Sequence, residues 1–117
     1  MMDEGKKIRL KEAGINVEEA LSRFMDNEML LERFLNKFLT DGSFALLKEA
    51  MASGDRDTQL RASHTLKGVC GNLSITRLYD LATSQVALMR ADRWEEAESM
   101  MPEMEQAYEA AIAAIRG

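Results

Sequence analysis

The sequence predicts an all-α protein: an up-down antiparallel four-helix bundle with a short additional helix at its N-terminal end. Three observations carry that prediction. Apolar residues recur at three- and four-residue spacing in most segments, and no stretch alternates in the two-residue rhythm of a strand. The chain has 117 residues and a single proline, the residue least compatible with helix interiors. The breaks between patterned segments span only about two to six residues, which forces consecutive long helices to run antiparallel.

Residues 1–15 read as an N-terminal extension and residues 16–117 as the bundle domain. The first element is "NVEEALSRF", with Val17, Ala20, Leu21 and Phe24 on one stripe. Asn16 is its expected N-cap, and Glu19, three residues later, is expected to complete a capping box. Asp26 or Asn27 then opens a second helix with Leu31, Phe34, Leu35 and Phe38 facing inward. "TDGS" at 40–43 reads as a pause or kink, because Asp-Gly favours a turn. "FALLKEAMA" resumes the helix until Gly54, a natural C-cap, and Asp55 starts the next element. That element, Asp55 to Leu73, carries the chain's only histidine. "NLSIT" is a short break in which Ser74 or Thr76 is expected to cap a helix from Ile75 to Arg90. "RADRW" turns the chain, and Trp94 to Ile115 reads as one last long helix with Pro102 near a start or kink.

Composition narrows the function classes. Hydrophobic residues make up 46% and charged residues 30%, the balance of a folded globular domain and not of a disordered segment. Twenty acidic against fifteen basic side chains leave a net charge of -5. No basic block is present to neutralise phosphates, so nucleic acid and anionic membrane are not expected partners. One cysteine, Cys70, allows no internal disulfide. No apolar run approaches the roughly 20 residues that span a bilayer, and the N-terminus lacks the apolar core of a signal peptide. These features lead to the expectation of a cytoplasmic protein, and a monomer is expected because nothing in the sequence demands a dimer.

Chemistry concentrates in "ASHTLKGVCGNL", Ala62 to Leu73. Wound at about 100° per residue, Ala62, Leu66, Val69, Cys70 and Leu73 gather on the expected core side. Leu60, His64, Lys67, Gly68 and Gly71 fall on the opposite side, with Asp57 and Arg61 at the edge. Each glycine costs a helix about 0.5–1 kcal/mol relative to alanine. Room is the simplest compensation: without a Cβ at 68 or 71, another molecule approaches the backbone beside His64. Close helix packing is the competing explanation for the two glycines. Lys67 lies one turn from His64 and is able to present an ammonium to an anion on the ring. Imidazole ordinarily titrates near pH ~6.5 and is an effective nucleophile when unprotonated. A nucleophilic nitrogen, a nearby cation and an open floor suit a phosphoryl group, whose transfer needs in-line positioning and charge stabilisation. No Walker-type glycine loop exists to bind ATP as donor.

"SHTLKGVCGNL" resembles the signature of histidine-containing phosphotransfer (HPt) domains. The resemblance extends over roughly residues 17–115, through "GDRDTQLRASHTLKG", "RLYDLA" and "DRWEEAESMMPEMEQ". It implies a phosphorelay intermediate that accepts a phosphoryl group on His64 from a receiver-domain aspartyl phosphate and passes it to another receiver. Lys67 would steady the phosphoryl oxygens and Gly68 would give clearance. Leu60, Arg61 and Gly71 would face the partner, a response-regulator receiver or a hybrid histidine kinase. The chain would bind no cofactor or metal of its own, Mg²⁺ coming with the receiver, and would have no kinase activity.

Two positions depart from the family pattern. Ser74 stands where members usually have glycine, and Val86 stands where many have a glutamate or glutamine that orients the imidazole. Gln85, beside Val86, falls in the apolar stripe of Leu78, Leu81, Ala82, Leu88 and Met89 and needs a polar partner there. His64 Nδ1 and a backbone carbonyl are the two candidates. Cys70 is expected simply to pack in the core, and most of the methionines likewise, with a few of them or Leu60 forming a small apolar docking patch. The alternative function is a receiver-docking module that carries no phosphate and regulates by occupancy. A purely structural bundle, or a substrate domain of a chemotaxis-type kinase, is a further alternative.

Overall fold

The computed structural model describes residues 2–117, and its regular structure is entirely helical. Eight helices follow one another among these residues: α1 (Glu4–Glu12), α2 (Val17–Arg23), α3 (Glu28–Phe38), α4 (Ser43–Ser53), α5 (Arg56–Asn72), α6 (Thr76–Arg90), α7 (Trp94–Ser99) and α8 (Met101–Arg116). Four antiparallel arms form the bundle. The first is α3 followed by α4, broken at Asp41–Gly42. There the Asp41 carboxylate accepts from the Ser43 N–H at 2.9 Å and starts a new helix. α5 and α6 are the second and third arms, and α7 followed by α8 is the fourth. Cross-contacts fix the directions. Gln59 at the start of α5 reaches Ala50 at the end of α4, and Ser63 on α5 meets Gln85 on α6. Lys48 on α4 meets Glu105 on α8.

Caps set the boundaries much as the sequence suggests. Asn16, Asn27 and Asp55 each accept a backbone N–H three residues on, and Gly54 ends α4 at φ 73°. Three expectations need correction. Glu19 does not close a capping box: its carboxylate accepts from the Ser74 hydroxyl and from Arg23 instead. Neither Ser74 nor Thr76 caps α6, which starts after Ile75 with no side-chain cap. The last arm is also two helices, interrupted at Met100. Pro102 lies in the first turn of α8, where its missing N–H is least harmful, and its ring discourages a continuous run from α7.

α1 was not expected as a helix. Its sequence "EGKKIRLKE" has no apolar stripe, which is why periodicity is silent there. Asp3 caps it, and tertiary contacts hold it. Leu10 is buried in the core, and ion pairs Lys7–Glu28 at 3.0 Å and Lys6–Glu32 at 3.4 Å join it to α3.

The core runs through all four arms. Leu31, Leu35, Phe38, Phe44 and Leu47 meet Ala62, Leu66 and Cys70, then Leu78, Ala82 and Met89. α8 offers Ala107 and Ala111, small enough for close approach. Its Tyr108 ring stacks on Phe44 at 4.5 Å and meets the edge of Phe38 at 5.8 Å. Burying each large apolar side chain contributes about 1.5–3 kcal/mol, so this seam supplies most of the driving force for folding. No helix among the described residues is long and apolar enough to cross a membrane.

Candidate functional site

α5 presents the site, and the way it is seated decides what each residue does. Its buried face comprises Gln59, Ala62, Ser63, Leu66 and Cys70. Of the expected core side, Leu73 is also buried and Val69 is half-buried against the core. The true seat is rotated toward Ser63 because α6 packs on that flank. His64, the next residue, is left on the exposed surface. Neither of its ring nitrogens makes a hydrogen bond or ion pair among the described residues. Lys67 is half-buried one turn away, and its ammonium is likewise uncommitted.

The two glycines separate in their surroundings. A Cβ built on Gly68 meets nothing within 4 Å, so this position is open floor one turn from His64. At Gly71 a Cβ would lie 3.0 and 3.2 Å from ring atoms of Tyr79 on α6. The space expected there for a partner is filled by that ring, so helix packing accounts for Gly71. The remaining expected partner-facing residues divide as well. Arg61 is exposed, with its guanidinium donating to the Thr58 hydroxyl at 3.2 Å. Leu60, placed opposite the core by the sequence, is half-buried and packed against it.

Gln85 does not touch the imidazole. It is fully buried, accepts from the Ser63 hydroxyl at 2.8 Å, and donates to the Ala97 carbonyl at 2.9 Å. Of its two candidate partners the backbone carbonyl is the one observed, so the orienting contact to His64 Nδ1 is withdrawn. With Val86 also buried and apolar, no described residue gives the ring a hydrogen-bonded orienter.

Two polar residues of α5 escaped the sequence reading. Ser63 and Gln59 both lie in the core, Gln59 donating to the Ala50 carbonyl at 3.0 Å. The signal was available: both fall on the same helical stripe as Leu66 and Cys70, and only their polarity hid them. Cys70 is a core residue as expected, and burial pushes its thiol up to about 12, which removes it as a nucleophile. Met89 and Met104 also pack in the core, whereas Met25 and Met29 are 88% and 71% exposed. A cleft of about 400 Å³ lies between Phe24, Phe34 and the C-terminal end of α5 at Val69 and Leu73. Ile8, Met25, Met29, Phe34 and Leu46 are the exposed large apolar side chains among the described residues, and Leu60 is not one of them. No group of three or more His, Cys, Asp or Glu side chains able to hold a metal occurs among the described residues.

The geometry assembles an exposed imidazole, an uncommitted ammonium one turn on, and a floor with no side chain. Such a surface is able to receive a compact anion on nitrogen. Comparison with known proteins agrees with that chemistry. A family model described as "Hpt domain" matches residues 25–114, most of the chain. No curated protein and no solved structure matches.

Proposed function

Because the chain belongs to the Hpt domain family, whose members take part in histidine phosphotransfer within phosphorelays, we propose that His64 is its phosphoacceptor. A ring nitrogen of His64 attacks the phosphorus of a receiver's aspartyl phosphate in line with the acyl-phosphate bond. The N–P bond forms as the P–O bond breaks, and the receiver's aspartate leaves as a carboxylate. The reverse step on a second receiver discharges the histidine. Lys67 faces the phosphoryl oxygens as a counter-charge, and Gly68 admits the receiver's loops to within contact of the helix backbone. Mg²⁺ comes with the receiver, which holds the metal beside its own aspartate. The partners are response-regulator receivers or the receiver of a hybrid kinase, and the protein acts as a phosphocarrier without kinase activity.

The observation that carries this reading is the open Gly68 position beside an exposed imidazole with no internal partner. A buried histidine would have to be exposed before a receiver could reach it.

The test is transfer of label from a receiver charged with acetyl phosphate in the presence of Mg²⁺. The wild-type chain is expected to gain acid-labile, base-stable phosphate, and His64→Gln none. Label on His64→Gln would move the chemistry to another residue. Receiver binding with no phosphate on the wild-type protein would favour the occupancy module instead.

A further inference from the structure

α5 must hold His64 at one angle to the helix axis, yet most of the contacts that seat it are poorly suited to that task. Ala62, Leu66 and Cys70 are small or flexible apolar groups, and apolar burial is non-directional. A few degrees of rotation about the axis change such contacts little. His64 lies on the solvent side of that axis, so the same rotation carries its ring along an arc. The imidazole itself has no bond to correct the error.

Hydrogen bonds are directional, and α5 makes two from its buried face. Gln59 donates to the Ala50 carbonyl at the end of α4. Ser63, the residue immediately before His64, donates to Gln85 Oε1 on α6 at 2.8 Å. Gln85 is itself anchored, its amide donating to the Ala97 carbonyl at 2.9 Å and to Met101 Sδ at 3.3 Å. Ser63 and Gln85 are both 0% exposed, and every buried side-chain polar atom among the described residues has a partner. The chain from Ser63 through Gln85 to Ala97 therefore ties the phosphoacceptor helix to α6 and α7 at the level of the histidine.

From this geometry we infer that Ser63 and Gln85 are positioning residues: their buried bond sets the rotation of α5 and so aims His64 at a docked receiver. This rests on the phosphoacceptor reading above and adds to it the element that replaces a direct orienting partner. The bond acts one residue away from the ring, through the backbone, so it leaves both ring nitrogens free for chemistry. Misplacement of a nucleophile by about 1 Å is able to cost up to 100-fold in rate.

The experiment compares two phosphodonors on the full chain. A docked receiver, charged with acetyl phosphate and chosen because it labels the wild type, requires an aimed ring. Phosphoramidate, a small diffusible donor, requires only an exposed one. Ser63→Ala deletes the donor, Gln85→Met removes the amide at similar volume, and the double variant removes both. Rates are measured per folded molecule, with folding checked by circular dichroism.

Each single variant is expected to slow receiver-dependent transfer by about 10-fold or more at saturating receiver, with phosphoramidate labelling within about 2-fold of wild type. The double variant is expected to be no slower than the worse single, since the two residues serve one bond. Wild-type rates from the receiver in both singles would overturn the proposal. So would equal slowing with both donors, which would mean lost access or structure in place of lost aim. If the wild type takes no label from any receiver, or His64→Gln does, the phosphoacceptor reading fails and this inference with it.

Discussion

Gly68 and Gly71 sit one turn apart on α5 and carry the same intrinsic cost to the helix, but they answer to different neighbours. At Gly68 an added methyl meets nothing. Gly68→Ala should therefore raise stability by about 0.5–1 kcal/mol through helix propensity alone. On the proposed function the same methyl stands in the receiver's path, so transfer to His64 should slow while the melting temperature rises. At Gly71 the methyl meets the Tyr79 ring at 3.0 Å, and crowding of that kind costs about 1–3 kcal/mol. Gly71→Ala should thus fall below Gly68→Ala by about 1 kcal/mol or more. Urea unfolding of the two variants checks the ordering, and equal stabilities would show that the ring moves aside freely. The sequence marked both glycines as unusual. It had no means to separate them, because the Tyr79 ring is eight residues away along the chain and adjacent only once α5 and α6 pack.

The connection between α5 and α6 shows how an element boundary is held by residues far away in sequence. Ser74 is buried and has φ 54°, in the left-handed region. A side chain there costs about 1–2 kcal/mol. The hydroxyl offsets that cost by donating to the Glu19 carboxylate at 2.9 Å and accepting from the Arg23 guanidinium. Alongside it, the Asn16 N–H donates to the Ser74 carbonyl at 2.8 Å. α2 is thereby clamped to the turn at the end of α5. Ser74→Ala keeps the backbone cost and loses both side-chain bonds, leaving Glu19 and Arg23 to solvent or to each other. Because these bonds involve charged groups, the loss should be about 1–3 kcal/mol. Ser74→Gly loses the same bonds but relieves the backbone, so it should be the milder variant. A thermal melt in which Ser74→Gly proves worse than Ser74→Ala would refute the clamp as described. Sequence reasoning assigned Ser74 to capping, the common role for serine in a break. It missed the clamp because Glu19 and Arg23 lie more than fifty residues upstream.

Across the whole molecule, stability should depend on a handful of bonded carboxylates. The Lys7 ammonium holds Glu28 below the usual glutamate range, the Ser74 hydroxyl does the same for Glu19, and the Thr58 hydroxyl for Asp55. A carboxylate whose folded value is depressed contributes fully above its unfolded value, about 4. That contribution is lost as pH falls through the lower folded value. Lys7 is raised by its bond to Glu28, so its share persists below the ordinary lysine value of about 10.4 and is lost only above it. The wild type should therefore exceed Glu28→Gln in urea midpoint between about pH 5 and 8, and the gap should close as pH falls toward 3. A gap that widens with acid would contradict the Lys7–Glu28 tie between α1 and α3.

What the sequence determined by itself is the helical class, most of the helix starts and stops, the solvent-facing histidine and the family. Those follow from local rules: apolar spacing, caps, turn residues and one dense motif. The tertiary structure alone decided that α1 forms, that Gln85 serves Ser63 and not the ring, that Gly68 is open while Gly71 is filled, and that Leu60 leans on the core. Each depends on which neighbour arrives from a distant part of the chain. A polar group buried by packing takes whichever partner that packing brings within about 3 Å, and one-dimensional spacing holds no record of that choice.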